Sequence, residues 1–175
     1  IYNAVSQAFF NIPVKSQMTN QLLYVGVINE RKNLMALLEV MAQLKAEGII
    51  FNLSVVGGAD QDKGYFDLVQ EFASQRIAGQ VDFLGWRGQT ELLALLASHD
   101  IIVLPSRQET LPMSVAEAMG AGKVVVVSNV GGLPEMVADL ETGFLFDPFN
   151  VHELKNILKI LNQNNVLVQQ VGEKA

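Results

Sequence analysis

Two short segments carry the residue types that could handle a charged ligand. The first is Asn29-Glu30-Arg31-Lys32-Asn33, which stands just ahead of a helical stripe. Two adjacent cations at a helix N-terminus form an anion site, because the helix adds free N–H groups and the positive end of its dipole. Taken alone, the segment also reads as two solvated surface cations beside Glu30. The second segment is Pro105-Ser106-Arg107-Gln108-Glu109-Thr110-Leu111-Pro112, followed by a helix bearing Glu117. Glu109 falls in the loop, and Glu117 lies about one and a half turns into the helix at ~3.6 residues per turn. The helix N-terminus between them suits an anionic pyrophosphate. The two carboxylates suit sugar and ribose hydroxyls, as hydrogen-bond acceptors rather than as an acid/base pair. Glu117 also reads as a partly buried helix carboxylate satisfied by nearby backbone, whereas Glu109 is hard to place in a core.

The elements that must position these residues alternate regularly. Apolar runs at Leu22–Val27, Phe51–Val56, Val81–Leu84, Ile101–Leu104, Val124–Val127 and Phe144–Phe146 read as strands. Between them, Leu34, Leu37, Leu38 and Met41, then Tyr65, Leu68, Val69 and Phe72, recur at helical spacing. Further helices are expected over Leu92–Leu96, over Met113–Met119 entered through Pro112, and on the stripe Val151, Leu154, Leu158 and Leu161. Asn150 is the expected N-cap of the last, with Glu153 three residues on. Six strands separated by helices make repeated βαβ units, and the unbroken Val124–Val127 run suits a strand covered on both faces. The expected fold is α/β: a doubly wound, mostly parallel six-stranded sheet, Rossmann-like. Ligands of such sheets bind beyond the carboxyl ends of the strands. Both charged segments lie there.

Composition narrows the chemistry. The chain has 175 residues, 50% hydrophobic and 17% charged, which fits one domain with a substantial core. Twelve Lys and Arg against 18 Asp and Glu give a net charge of −6, which opposes a nucleic-acid surface. Cysteine is absent and histidine occurs twice, so thiolate nucleophiles, Cys-ligated zinc and most His-based schemes fall away. The apolar runs are far shorter than the ~20 residues of a membrane helix. The opening segment lacks the marks of a secretory signal. No G-x-G-x-x-G follows a strand and no glycine-rich loop ends in Gly-Lys-Ser/Thr, which argues against a nicotinamide oxidoreductase and a P-loop NTPase.

The segments GVINERKNL, VVGG, VDFLGW, ASHDIIVLPSRQETLPMSVAEAMGAGKVVVVSNVGGLPEMV and ETGFLFDPFN resemble the family 4 (group 1) glycosyltransferases. The strongest mark is the pair Glu109 and Glu117, followed by Ala118-Met119-Gly120-Ala121-Gly122. The resemblance spans about residues 20–162 and implies the C-terminal, nucleotide-sugar-binding half of a two-domain GT-B enzyme. Residues 1–19 would be an inter-domain lead-in and 163–175 a C-terminal arm, with the acceptor domain absent from this chain. It further implies that Glu117 accepts from ribose hydroxyls and Glu109 faces the donor sugar, while Lys32, aided by Arg31, neutralises the pyrophosphate. Gly26, Leu111 and Met113 would line the donor, and Trp86, Arg87 and Gln89 the nucleobase edge. The implied reaction is metal-independent, retaining hexosyl transfer from a nucleoside diphosphate sugar to a glycan, lipid or small molecule. No cofactor is implied, and the fragment alone is expected to be inactive. A cytoplasmic location is implied, with any membrane association falling to the absent domain. One departure stands out: Val27 occupies a position where the family often has arginine.

Other residues read as structural. His99 suits a helix C-terminus, His152 a solvated first turn and Glu135 a helix start, and the methionines at 35, 41, 113, 119 and 136 fall on core stripes. Trp86 reads as packing or as a stacking surface. A GT-B epimerase and a non-catalytic nucleotide-binding or assembly module are the alternatives. The first would want histidines across the cleft, and the second has only Val27 in its favour.

Overall fold

The computed structural model describes residues 4–13, 19–60 and 63–175; Ile1–Asn3 and residues 14–18 of the expected lead-in lie outside them. Six strands form one sheet: β1 (Gln21–Val25), β2 (Asn52–Val56), β3 (Val81–Gly85), β4 (Ile101–Leu104), β5 (Val124–Ser128) and β6 (Phe144–Phe146). Their order is β3-β2-β1-β4-β5-β6, and every pairing is parallel. The chain moves outward from β1 to β3, then returns and moves outward the other way from β4 to β6. Right-handed crossovers therefore place α1 (Leu34–Ala46) and α2 (Gly64–Arg76) on one face and α4 (Met113–Gly120) and α5 (Leu133–Met136) on the other. The chain crosses between the halves through α3 (Gln89–Ser98).

Coverage on both faces explains the strand composition. All four residues of β4 and all five of β5 are buried. Each of the four β5 valines contributes about 1.5–3 kcal/mol through removal from water. α6 (Val151–Gln163) buries Leu154, Leu158 and Leu161 and packs on α1. Its start differs from a simple capping box. Asn150 Nδ2 donates to Glu153 Oε1, and Glu153 Oε2 accepts from the Asp147 N–H at 2.8 Å.

Two tail segments belong to the packed body. A 3-10 helix, Gln7–Asn11, sinks Phe9 into the core, and α7 (Asn165–Lys174) buries Val168 and Val171 while packing on β5. The Gln- and Asn-rich composition of 163–175 hid this, because Val168 and Val171 give only one helical repeat. On α2 the buried face centres on Val69 and Ala73, so Leu68, which spacing placed on that stripe, is 58% exposed. Among the methionines, Met41 is fully buried, Met35, Met119 and Met136 pack partly against the core, and Met113 stands outside it. His99 closes α3 as expected, its Nδ1 2.7 Å from the Leu95 carbonyl and its Nε2 2.9 Å from Ser54 Oγ. No helix among the described residues is long and apolar enough to cross a membrane.

Candidate functional site at the sheet switch point

The reversal of strand order between β1 and β4 opens a crevice at their carboxyl ends, the position where doubly wound sheets bind ligands. The loop after β1 continues the sheet's pairing beyond the strands. Gly26 N–H donates to Val56 O and Ile28 N–H to Gly58 O, both at 2.9 Å. This close approach requires glycine at 57: its φ is +130°, and a Cβ there would stand 1.9 Å from the Gly26 carbonyl oxygen. Asn29 then organises the turn. Its Oδ1 accepts from the Lys32 N–H at 3.0 Å, its carbonyl accepts from the Asn33 N–H at 3.2 Å, and its Nδ2 donates to Asp60. Asn33, in the left-handed conformation at φ 53°, completes the entry into α1, a role asparagine tolerates better than most residues.

The N-terminus of α1 is less open than the sequence suggested. Tyr65 Oη accepts from the Met35 N–H at 3.0 Å, so one of the helix's free donors is already taken. Burial pushes the Tyr65 phenol above its ordinary pKa, and pushes the Tyr24 phenol much further. The Tyr24 Oη donates to the carbonyl of Val27 at 2.9 Å, fixing the residue that replaces the expected arginine.

Across the switch point, the N–H of Arg107 donates to the carbonyl of Arg31 at 2.8 Å. That bond sets the two loops in register and brings Lys32 against Glu109. Lys32 Nζ lies 2.5 Å from Glu109 Oε1, and the fully buried Ser106 donates its hydroxyl to the same oxygen at 2.6 Å. Glu109 is only 7% exposed, so its charge needs both partners. The loop after β5 supports it from behind. Gly131, at φ +57°, faces the Glu109 carbonyl so closely that a Cβ would lie 1.9 Å from it, and the Gly132 N–H donates to Thr110 O. Ser106 and Gly131 are the supporting residues that sequence reading missed. The Pro105-Ser106 step directly beyond β4 was the available signal.

The remaining candidates stand on the loops and helices that follow β1, β3 and β4. Arg31 is exposed and makes no ion pair among the described residues. Glu117 is half-buried on α4 and its carboxylate accepts no hydrogen bond from the described residues, so burial alone raises its pKa above the ordinary carboxylate value. It is a half-buried helix carboxylate, and no backbone N–H among the described residues donates to it. Pro112 caps α4 without an N–H, flanked by exposed Leu111 and half-buried Met113. At the end of β3, Trp86 is 66% exposed, with its indole Nε1 against Gly58, so it is not core packing. Arg87 pairs with Glu91 at 3.2 Å, and exposed Gln89 opens α3. Trp86, Arg87 and Gln89 stand one strand beyond β2, on the same sheet edge as Lys32 but not in the Lys32–Glu109 cluster. Among the described residues, no three His, Cys, Asp or Glu side chains converge to hold a metal ion.

The family model of the glycosyl transferases group 1 matches residues 5–175. The chain belongs to this family. Among group 1 relatives, it is 34% identical over 132 residues to a glycogen synthase of Mycobacterium tuberculosis, covering 75% of this chain and 31% of the relative. It superposes on the C-terminal domain of a group 1 glycosyl transferase from Francisella tularensis with a TM-score of 0.78 at 22% identity, covering 88% of this chain and 80% of that one. It also matches Anabaena HepE in complex with UDP-glucose at TM-score 0.81 and 24% identity, covering 88% of this chain and 42% of that one. The fold is that of a GT-B C-terminal domain. The chain spans about a third of the length of the glycogen synthase.

Proposed function

We propose that this chain is the donor-binding half of a retaining, metal-independent hexosyltransferase. One observation carries the reading: Lys32 and Glu109, from loops on opposite sides of the switch point, meet at 2.5 Å, and the Glu109 loop leads directly into α4. A nucleoside diphosphate sugar laid along this edge would put its diphosphate at Lys32, Arg31 and the free N–H groups of that helix. Its ribose would meet Glu117, an acceptor with no other commitment, and its sugar would face Glu109. Gly26 and the backbone at Leu111 and Met113 would line the donor, with Trp86, Arg87 and Gln89 toward the base. HepE, whose structure holds UDP-glucose, supports a uridine diphosphate sugar as the first donor to test.

The chemistry assigned to these residues is electrostatic. As the bond between the anomeric carbon and the diphosphate oxygen breaks, negative charge accumulates on the leaving group. Lys32, Arg31 and the α4 dipole stabilise that charge, so they act most strongly in the transition state. The acceptor, a glycan, a lipid or a small molecule, would be held by a second domain and would take the sugar on the face the diphosphate leaves. No resident cofactor enters this scheme.

The test is thermal unfolding with UDP, GDP, ADP and dTDP. A ligand at a hundredfold its Kd adds about 2.7 kcal/mol, or roughly 5–10 °C for a domain of this size. A shift with one base identifies the donor class. No shift with any of the four sinks the reading for this chain.

A further inference from the structure

Glu109 and Lys32, the two residues assigned to the sugar and the diphosphate of a donor, hold each other in this structure. One carboxylate oxygen, Oε1, receives both the Lys32 ammonium and the Ser106 hydroxyl. The Lys32 side chain is 13% exposed and that of Glu109 4%, so little water competes for either charge. A diphosphate at this edge therefore meets a cation that already has an anionic partner. To take Lys32, it must leave Glu109 as a buried carboxylate, which is costly unless another donor remains. Ser106 is that donor. It is fully buried at the end of β4 and bonded to the same oxygen at 2.6 Å.

Building on the donor-site reading, we propose that Glu109 is an internal competitor of the diphosphate for Lys32, and that Ser106 is the positioning residue that retains Glu109 when Lys32 changes partner. The pair then sets diphosphate affinity below what the cations alone would give. Ser106 keeps Glu109 in place while the diphosphate is bound. A nucleoside diphosphate product, which has no sugar to contact Glu109, would be displaced as Lys32 returns to its partner.

The experiment is calorimetric titration of the chain with inorganic pyrophosphate and with UDP, comparing wild type with Glu109→Gln, Lys32→Ala, Ser106→Ala, Ser106→Thr and the doubles Lys32→Ala/Glu109→Gln and Ser106→Ala/Glu109→Gln. Glu109→Gln is expected to bind pyrophosphate about three- to tenfold more tightly, and Ser106→Ala about two- to tenfold more weakly, the range of one hydrogen bond. Ser106→Thr restores most of the loss. The Ser106→Ala penalty disappears in the Glu109→Gln background, which a merely structural serine would not produce. If the Glu109→Gln gain persists undiminished without Lys32, simple repulsion explains it and the competition is overturned. Unchanged or weaker pyrophosphate binding by folded Glu109→Gln overturns it as well. Should Glu109→Gln not fold, equal affinities of wild type and Ser106→Ala overturn the proposal. Wild type that binds UDP, with no gain in Glu109→Gln, leaves the donor reading standing and removes the exchange. No binding of either ligand by any protein removes both.

Discussion

The peptide N–H of Arg107 donates to the carbonyl of Arg31 across the seam between β1 and β4, at 2.8 Å. Neither side chain takes part. Lys32 follows the acceptor directly and Glu109 lies two residues beyond the donor, so this one backbone bond puts an ammonium and a carboxylate on the same spot. Strands that are 76 residues apart by these two positions become neighbours only because the sheet reverses direction there.

Gly131→Ala tests how tightly the Glu109 loop is held. The substitution places a Cβ against the Glu109 carbonyl in a left-handed backbone conformation. Conformational strain and overpacking together are expected to cost about 2–4 kcal/mol, read from chemical denaturation. Diphosphate binding should fall as well, since the clash displaces Glu109 and, through it, Lys32. A wild-type denaturation midpoint would show that the loop yields freely.

Glu117→Gln separates function from stability. Burial raises the Glu117 pKa, so the unfolded chain ionises first and stability is lost as pH rises from the ordinary carboxylate pKa through that raised value. The variant should therefore melt higher than wild type at neutral pH, with the advantage vanishing in acid, where Glu117 is protonated in both states. UDP binding should weaken about ten- to hundredfold from loss of a charge-assisted contact, with pyrophosphate binding nearly unchanged. Equal losses for both ligands would refute the ribose role.

Trp86→Ala probes the rim. Because the indole is largely exposed, unfolding should change by no more than about 0.5 kcal/mol. If a base stacks on it, UDP affinity falls by about 1–3 kcal/mol while pyrophosphate affinity holds. A variant with unchanged UDP affinity moves the base elsewhere.

Glu47 supplies a pH signature far from the crevice. Lys155 and Lys159 of α6 lie 2.6 and 2.7 Å from its two oxygens and hold its pKa down to about 2 from an ordinary 4.5. A depressed carboxylate stabilises the fold above its unfolded pKa and loses that contribution as pH falls from about 4.5 toward 2. Glu47→Gln should melt below wild type at pH 7, with the gap narrowing as pH falls from about 4.5 toward 2 and shrinking in high salt. A gap independent of pH would point to packing instead of charge.

The sequence by itself determined the six strands, their helices and the crevice edge on which the charges lie, because burial on both faces leaves continuous apolar runs and helical stripes that local spacing reveals. It also marked Lys32, Glu109 and Glu117 through residue type and distance along the chain. It did not disclose that α7 belongs to the core, that Leu68 faces outward or that Tyr65 occupies the α1 terminus. Those depend on which surfaces meet. Only the tertiary structure decided that Lys32 pairs with Glu109, that Ser106 shares the same oxygen and that the Glu117 carboxylate has no partner among the described residues. An ion pair between loops 77 positions apart is set by strand order and by a backbone bond between Arg31 and Arg107, and neither leaves a local pattern in the chain.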